Sequence, residues 1–462
     1  MKQIKYIVVT TLLASMVSGC GIYSKFENPV EDAYLDSLYS YIEATNDTTN
    51  IATLSYRELF TDSYLVALIE QGLENNTDLN VARLSVDQAQ ASLKAARLAF
   101  FPSVSAAPQG SISSFNGTTT KTYNLSLTAS WEIDVFGKLR NAKERSKSAL
   151  ESSIAYRQAV QTQLVATIAE SYYTLLMLDE QLEISLETQA NWDENLRVMD
   201  AMKTAGRINE TSVLQSQASS VALSSQIVSL REEIAQLENS LCTILAKPTV
   251  HIERGTILDV VFPTELSVGV PIQLLSNRPD VRVAESNLAQ AFYATAESRS
   301  ALYPTITLSG SAGYTNSSGV ILNPGDMLYS AVGSLLQPIF NRGAIRAQIK
   351  ISEAQQEQAL LQFKQAILDA GAEVNNALSQ WQHAQQRLEL GATQIELLEK
   401  TVTKTELLMK YGKVDYLDVL VAQLSLLQTE LSYSTDKYSQ TQGVINLYRA
   451  LGGGGSDVST EL

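Results

Sequence analysis

The residue with the most legible chemistry is Cys20. Lys2 and Lys5 precede an apolar run from Tyr6 to Val17, and the run closes on Val17-Ser18-Gly19-Cys20. A basic start, an apolar stretch too short to span a bilayer and small residues before a cysteine make a secretory signal with a lipobox. The expected chemistry is acylation of Cys20 after removal of residues 1–19. Gly21 follows, not the Asp that commonly retains such lipoproteins at the inner membrane, which favours outer-membrane delivery. Cys242 then has no partner, and its apolar helical setting predicts a buried free thiol. The remaining inventory is sparse. The two histidines, His251 and His383, lie far apart without companion ligands, so no metal centre is expected. No nucleophile elbow, phosphate loop or zinc spacing occurs, so neither enzyme nor cofactor is expected.

Composition narrows the class. A formal net charge of −15 over 462 residues excludes a basic stripe that could neutralise phosphates, so nucleic acid is not a partner. Ten prolines are present, yet none falls between Pro108 and Pro248 or after Pro338. Two long segments are therefore free of helix breakers and rich in Ala, Leu, Gln, Glu and Ser, which predicts very long helices. A helix over 137–203 would measure about 100 Å.

The elements come in two copies. Asn75, Asp78, Val81, Ala82, Gln88, Ala89, Arg97, Ala99 and Pro102 recur 202 positions later as Asn277, Asp280, Val283, Ala284, Gln290, Ala291, Arg299, Ala301 and Pro304. Further on, Gly206, Val213, Leu214 and Gln217 recur at an offset of 206 as Gly412, Val419, Leu420 and Gln423. Such self-similarity marks a repeat architecture. The organisation expected is a signal peptide (1–19), a lipidated extension (20–61), repeat 1 (62–247), a linker (248–267), repeat 2 (268–452) and a flexible tail (453–462). Each repeat reads as a helix (about 65–99 and 272–301), a β-hairpin, a long helix, a tight turn near Gly206 or Gly412, and another long helix.

The hairpins show a period of two. Tyr123, Leu125, Leu127, Ala129 and Trp131 alternate with Asn124, Ser126, Thr128 and Ser130, and Ile306, Leu308, Ala312 and Tyr314 share a face. Asn116-Gly117 and Asn323-Pro324-Gly325-Asp326 supply the turns. Strands of about ten residues suit a bilayer crossing. A sheet in lipid must close, which four strands cannot do; three copies give twelve, enough to leave a pore. A soluble sheet fragment also alternates, so the strands alone leave both readings open.

The signal peptide, the lipobox, the duplication, Arg278-Pro279-Asp280-Val281 and the run Tyr416 to Gln423 together resemble the outer-membrane factor lipoproteins. These are TolC-like exit ducts of tripartite efflux pumps, here of the OprM-like branch. The resemblance implies a mainly α fold with a small transmembrane β part. It implies a homotrimer whose twelve-stranded barrel continues into a long periplasmic helical tunnel. The partners implied are a periplasmic adaptor, an inner-membrane efflux transporter and outer-membrane lipid. It also implies a passive duct for drugs or other small toxic molecules. In this family the periplasmic helix ends close the duct and meet the adaptor. The residues at those positions are Gly206, Arg207, Gly412, Lys413 and Asp415 for the adaptor, and Leu417, Asp418 and Val421 for the gate. Members often carry Asp-Val-Leu-Asp there; this chain has Asp418-Val419-Leu420-Val421, so an apolar collar replaces the second acidic ring. For Asp418 a solvated helix-end carboxylate is the plainer alternative, and Arg278 and Asp280 are expected to be structural. Two other functions stay open: a non-conducting periplasm-spanning lipoprotein, and an exit duct for protein secretion.

Overall fold

The computed structural model describes residues 24–29, 54–257, 277–316 and 327–453. Cys20, the signal peptide, most of the extension, the 258–267 part of the linker, the 323–326 turn and everything after 453 lie outside the described residues. In chain order the elements are α1 (Tyr56–Leu59), α2 (Ser63–Asn75), α3 (Thr77–Leu98), β1 (Ser103–Phe115), β2 (Thr118–Ile133), α4 (Lys138–Thr204), α5 (Glu210–Ile244), α6 (Pro279–Ser300), β3 (Thr305–Asn316), β4 (Met327–Leu336), α7 (Ala344–Lys410) and α8 (Tyr416–Ala450).

The duplication is written into these lengths. Helices α4 and α7 have 67 residues each, α5 and α8 have 35, and α3 and α6 have 22. Ser103 pairs with Ser130 where β1 meets β2, and Thr305 pairs with Leu336 where β3 meets β4. The offset is thus 202 on the first strand of each hairpin and 206 on the second. The four extra residues of the second repeat therefore lie within its hairpin.

The chain forms two compact units, and each draws on both halves of the sequence. Among the described residues, one comprises 24–29, 83–156 and the described part of 280–366; the other comprises 54–82, the described part of 157–279, and 367–453. The first holds the sheet, antiparallel throughout in the order β1-β2-β3-β4. Asn116 (φ 49°) and Gly117 (φ 79°) turn the first hairpin, with Phe115 opposite Thr118. Two left-handed residues are what a type I′ turn demands, and Asn-Gly supplies them cheaply. Strands β1, β2 and β3 run 13, 16 and 12 residues, longer than the ten expected, because Ser/Thr-rich ends extend the ladder, while β4 has the expected 10.

In the second unit the core is built at helical spacing. Leu164, Ile168, Tyr172 and Leu175 of α4 are buried together with Val165, Ala169 and Leu176. Cys242 is a buried free thiol, as its setting predicts, with its Sγ directed at the Val250 carbonyl. Arg254, in the stretch after α5, binds Asp179 of α4 and Glu238 of α5, pinning the start of the linker.

Two expectations need correction. The single helix expected over 65–99 is broken at Asn76, whose backbone is extended (φ −57°, ψ 130°). Its side-chain oxygen accepts the Leu79 N–H at 3.0 Å, and its amide donates to the Ile244 carbonyl at 2.8 Å. One side chain thus caps the start of α3 and closes the end of α5, which outweighs continuing the helix. The second concerns the start of the tail expected over 453–462, of which only Gly453 is among the described residues. Gly452 and Gly453 are buried, and the Gly453 carbonyl accepts from Thr162 Oγ1 at 2.9 Å. Gly452 has φ 82°, and a Cβ there would lie 2.4 Å from the Asn277 carbonyl oxygen. Close backbone approach, not looseness, requires glycine here.

Candidate functional site

The sheet has two chemically distinct faces. Registers place Val104, Ala106, Pro108 and Ile112 of β1 on the same side as Tyr123, Leu125, Leu127, Ala129 and Trp131 of β2. The same side carries Ile306, Leu308, Ala312 and Tyr314 of β3, and Met327, Tyr329, Ala331 and Leu335 of β4. Within this chain Val104, Ile112, Leu125, Leu127, Leu308, Tyr329 and Leu335 are exposed. The other side is mostly hydroxyl-bearing, with Ser105, Ser111, Thr122, Ser126, Thr128, Thr307, Ser309, Ser311 and Ser330, joined near the strand ends and on β4 by Phe115, Val332 and Leu336. Cross-strand hydroxyl pairs form on it, Ser111 with Thr122 and Ser311 with Ser330, both at 2.7 Å. In a water-soluble sheet the exposed face is the polar one. Here the apolar face is exposed as well as the polar one, which is the arrangement of a strand with lipid on one side and water on the other. Among the described residues no helix is long and apolar enough to cross a membrane.

The helical turns follow one design. Helix α4 ends at Gly206 (φ 68°), with the Arg207 N–H on the Met202 carbonyl and the Gly206 N–H on Lys203, both at 2.9 Å. Helix α7 ends at Gly412 (φ 68°), with Lys413 on Leu408 at 3.0 Å and Gly412 on Met409 at 2.9 Å. These are Schellman closures, which use a left-handed glycine to satisfy the last carbonyls. Asn209 caps α5 through the Ser212 N–H at 3.0 Å. Asp415 is the N-cap residue of α8, and Asp418 accepts the Asp415 N–H at 3.2 Å.

Both turns rest on one apolar cluster. It contains Trp192 and Met199 of α4, Val213, Leu223 and Ile227 of α5, and Tyr416, Val419, Leu420, Leu427 and Leu431 of α8. Ile208 and Met409, at the two turns, pack against it. Burial raises the Tyr416 pKa, partly opposed by its hydrogen bond with Ser216. With that face of α8 committed inward, Leu417 and Val421 are left 43% and 62% exposed, and Asp418 is exposed beside them. Gly206, Arg207, Gly412, Lys413 and Asp415 are exposed as well.

Further along α8, Glu430 is half-buried. Burial raises its pKa, and the carboxylates of Glu399 and Glu187 add to the shift. Among the described residues no group of His, Cys, Asp and Glu could hold a metal ion.

The sequence reading did not find the clasp that opens each repeat. Arg278 is buried and donates to the Ala450 carbonyl and to Glu373, each at 2.9 Å. Asn76 makes the equivalent bond to Ile244 in the first repeat. Aligning the two repeats residue by residue was the available signal, because Asn76 and Arg278 are counterparts there.

An amphipathic sheet with lipid-type and water-type faces, joined in sequence to paired long helices twice over, defines the wall of an outer-membrane channel. The chain belongs to the outer membrane efflux protein family, whose sequence profile matches residues 68–247 and 270–453. It is 29% identical over 464 residues to the probable outer membrane lipoprotein SilC of Salmonella typhimurium, covering 98% of this chain and 99% of SilC. It is 28% identical over 447 residues to the cation efflux system protein CusC of Escherichia coli K12, covering 96% and 98%. Its fold superposes on the outer-membrane channel OprN with a TM-score of 0.83 at 26% identity, over 94% of this chain and 98% of that one. The fold is mainly α with a small transmembrane β part, and the protein is an efflux channel of the outer membrane.

Proposed function

We propose that the chain is the exit duct of a tripartite efflux system, working as a homotrimer with a periplasmic adaptor and an inner-membrane transporter. The observation that carries this reading is the two-faced sheet. Its apolar face needs lipid, and a sheet in lipid must close so that no edge group is left without a partner. Four strands per chain and three chains give a twelve-stranded barrel wide enough to leave a water-filled lumen, which the Ser/Thr face would line. In this reading the two repeats, 62–247 and 268–452, each supply one hairpin to the barrel and one helical pair to a periplasmic tunnel. Cys20, once acylated, anchors the chain to outer-membrane lipid.

The helical turns take the adaptor and the gate. Arg207 and Lys413, presented on glycine turns, are free to meet an acidic or polar adaptor surface, with Gly206, Gly412 and Asp415 shaping it. Leu417 and Val421 form the apolar collar of the closed mouth, with Asp418 beside them as a single acidic ring. Conduction is passive and selection is made upstream, so the cargo is a range of small toxic solutes. The test is the mass of the full-length protein in mild detergent. Three copies are expected, and a stable monomer or dimer would overturn the closure.

A further inference from the structure

The four strands carry two charged side chains between them, Lys121 and Glu132, both on β2. Glu132 lies on the hydroxyl-bearing side, near the end of β2 that leads into α4, and Lys138 holds it at 2.8 Å. Lys121 lies on the other side. It shares the parity of Tyr123, Leu125, Leu127, Ala129 and Trp131, stands opposite Ile112 of β1 and is exposed. The apolar face of the strands therefore bears a single charge, a cation, in a chain whose formal net charge is −15. The duplication does not require it. In the second repeat Tyr314 and Met327 pair as Ile112 and Lys121 do in the first, so a methionine stands where the lysine would be.

The height of Lys121 follows from the aromatic residues beside it. Tyr123 and Trp131 bound the apolar run of β2, and the rise between them is about 27 Å along the strand. At the usual barrel tilt of about 40° this is about 21 Å along the bilayer normal, close to the apolar band of about 25 Å that aromatic girdles flank. Lys121 comes two residues before Tyr123, on the side of the Asn116-Gly117 turn, which adds about 5 Å beyond the girdle. Its stem can lie beside Ile112 while the ammonium reaches headgroups and not hydrocarbon. That turn is the end of the hairpin away from α3 and α4, so the headgroups at this level belong to the outer leaflet.

We infer that Lys121 binds the anionic phosphate headgroup of an outer-leaflet lipid, holding one such lipid against the first hairpin of each chain. The inference rests on the barrel reading proposed above and adds a ligand at its outer rim. An ammonium is a compact charge with three donors, which suits the oxygens of a phosphate. The residues that flank it on this face are Thr119 and Tyr123 along β2 and Gly110, Ile112 and Ser114 across from them. None is a carboxylate, so nothing among these neighbours competes with a lipid phosphate for the cation. The hydroxyls of Thr119, Ser114 and Tyr123 are further donors at the same level.

The experiment reconstitutes the full-length protein in vesicles of equal phosphatidylglycerol and phosphatidylcholine. The protein is then released into mild detergent and weighed with its retained lipid by native mass spectrometry. Retained lipid is expected to favour phosphatidylglycerol by about fivefold, the preference one lysine gives at an anionic surface. Lys121→Gln should abolish that preference, Lys121→Arg should keep it, and Lys121→Glu should turn it toward phosphatidylcholine. Lys247→Gln removes a lysine that hydrogen-bonds Gln71 in the other unit, so it controls for net charge and should leave the preference intact. Inorganic phosphate at the concentration of the lipid should displace none of it. Displacement would make free phosphate the ligand and overturn the inference. A trimer with no headgroup preference, or a preference that Lys121→Gln leaves unchanged, overturns it too while leaving the barrel reading in place. A protein that stays out of the vesicles or weighs as a monomer overturns both.

Discussion

Removing the Arg278 guanidinium should loosen the end of α8, and the size of the effect follows from its contacts. Arg278 is 5% exposed and donates to the Ala450 carbonyl and the Glu373 carboxylate, both at 2.9 Å. A hydrogen bond from a charged donor to a buried carbonyl contributes about 1.5–3 kcal/mol. The Glu373 side chain is 44% exposed, so that ion pair adds at most about 1 kcal/mol. Loss of the buried stem adds roughly another 1 kcal/mol. Arg278→Ala should therefore cost about 3–4 kcal/mol locally. Arg278→Lys should cost less but still about 1–2 kcal/mol, since an ammonium cannot reach both partners as the planar fork does. The assay is hydrogen exchange of the amides over 446–453 in the intact protein, because a large oligomer in detergent does not unfold in two states. At about 1.4 kcal/mol per factor of ten, the alanine variant should exchange on the order of 100-fold faster there. Asn76→Ala should loosen the end of α5 in the same way, by about 1–3 kcal/mol. A change below threefold in the Arg278→Ala protein would refute the clasp.

Cys20→Ser should abolish labelling by palmitate while leaving the protein in the membrane, because the strands bury far more apolar surface than the acyl chains; undiminished labelling would remove the lipobox reading. Replacing Leu417 or Val421 by Ser should open the mouth more than Asp418→Ala does. Each apolar side chain can bury on the order of 2 kcal/mol at closure, whereas Asp418 offers a helix-end bond of about 0.5–1 kcal/mol. Uptake of a large antibiotic such as vancomycin by intact cells reads the order, and Asp418→Ala admitting more would reverse it. Glu430→Gln should raise the thermal midpoint at pH 8 and not at pH 4. The raised pKa of Glu430 means that its contribution is fully present below the unfolded value and is lost as pH rises through the folded one. Equal gains at both pH values would contradict that sign.

What the sequence disclosed was whatever depends on local pattern. The absence of proline set the two 67-residue helices, Asn116-Gly117 set the hairpin turn, and alternation at Tyr123–Trp131 set which residues share a face. What it hid depends on distant partners. Asn76 reads as a tolerable interior helix residue until Ile244, 168 positions away, offers a carbonyl. Arg278 reads as a lone motif until Glu373 and Ala450 arrive. Gly452 reads as the plain end of repeat 2 until the Asn277 backbone is found against it. Asp418 was legible as a helix-end carboxylate, and its bond to the Asp415 amide gives it a capping duty beside any part in the gate. The proposed collar residues, Leu417 and Val421, by contrast, were legible only through resemblance, and their exposure follows from which face of α8 the apolar cluster takes.

The central claim is that this protein conducts. Purified full-length protein reconstituted in planar lipid bilayers measures it directly, by single-channel recording. Discrete, cation-preferring conductance steps are expected, larger and longer-lived when Leu417 and Val421 are both replaced by Ser. A protein that inserts as a trimer yet gives no step above the bare bilayer, with or without those substitutions, would contradict the claim and leave a structural tether in its place.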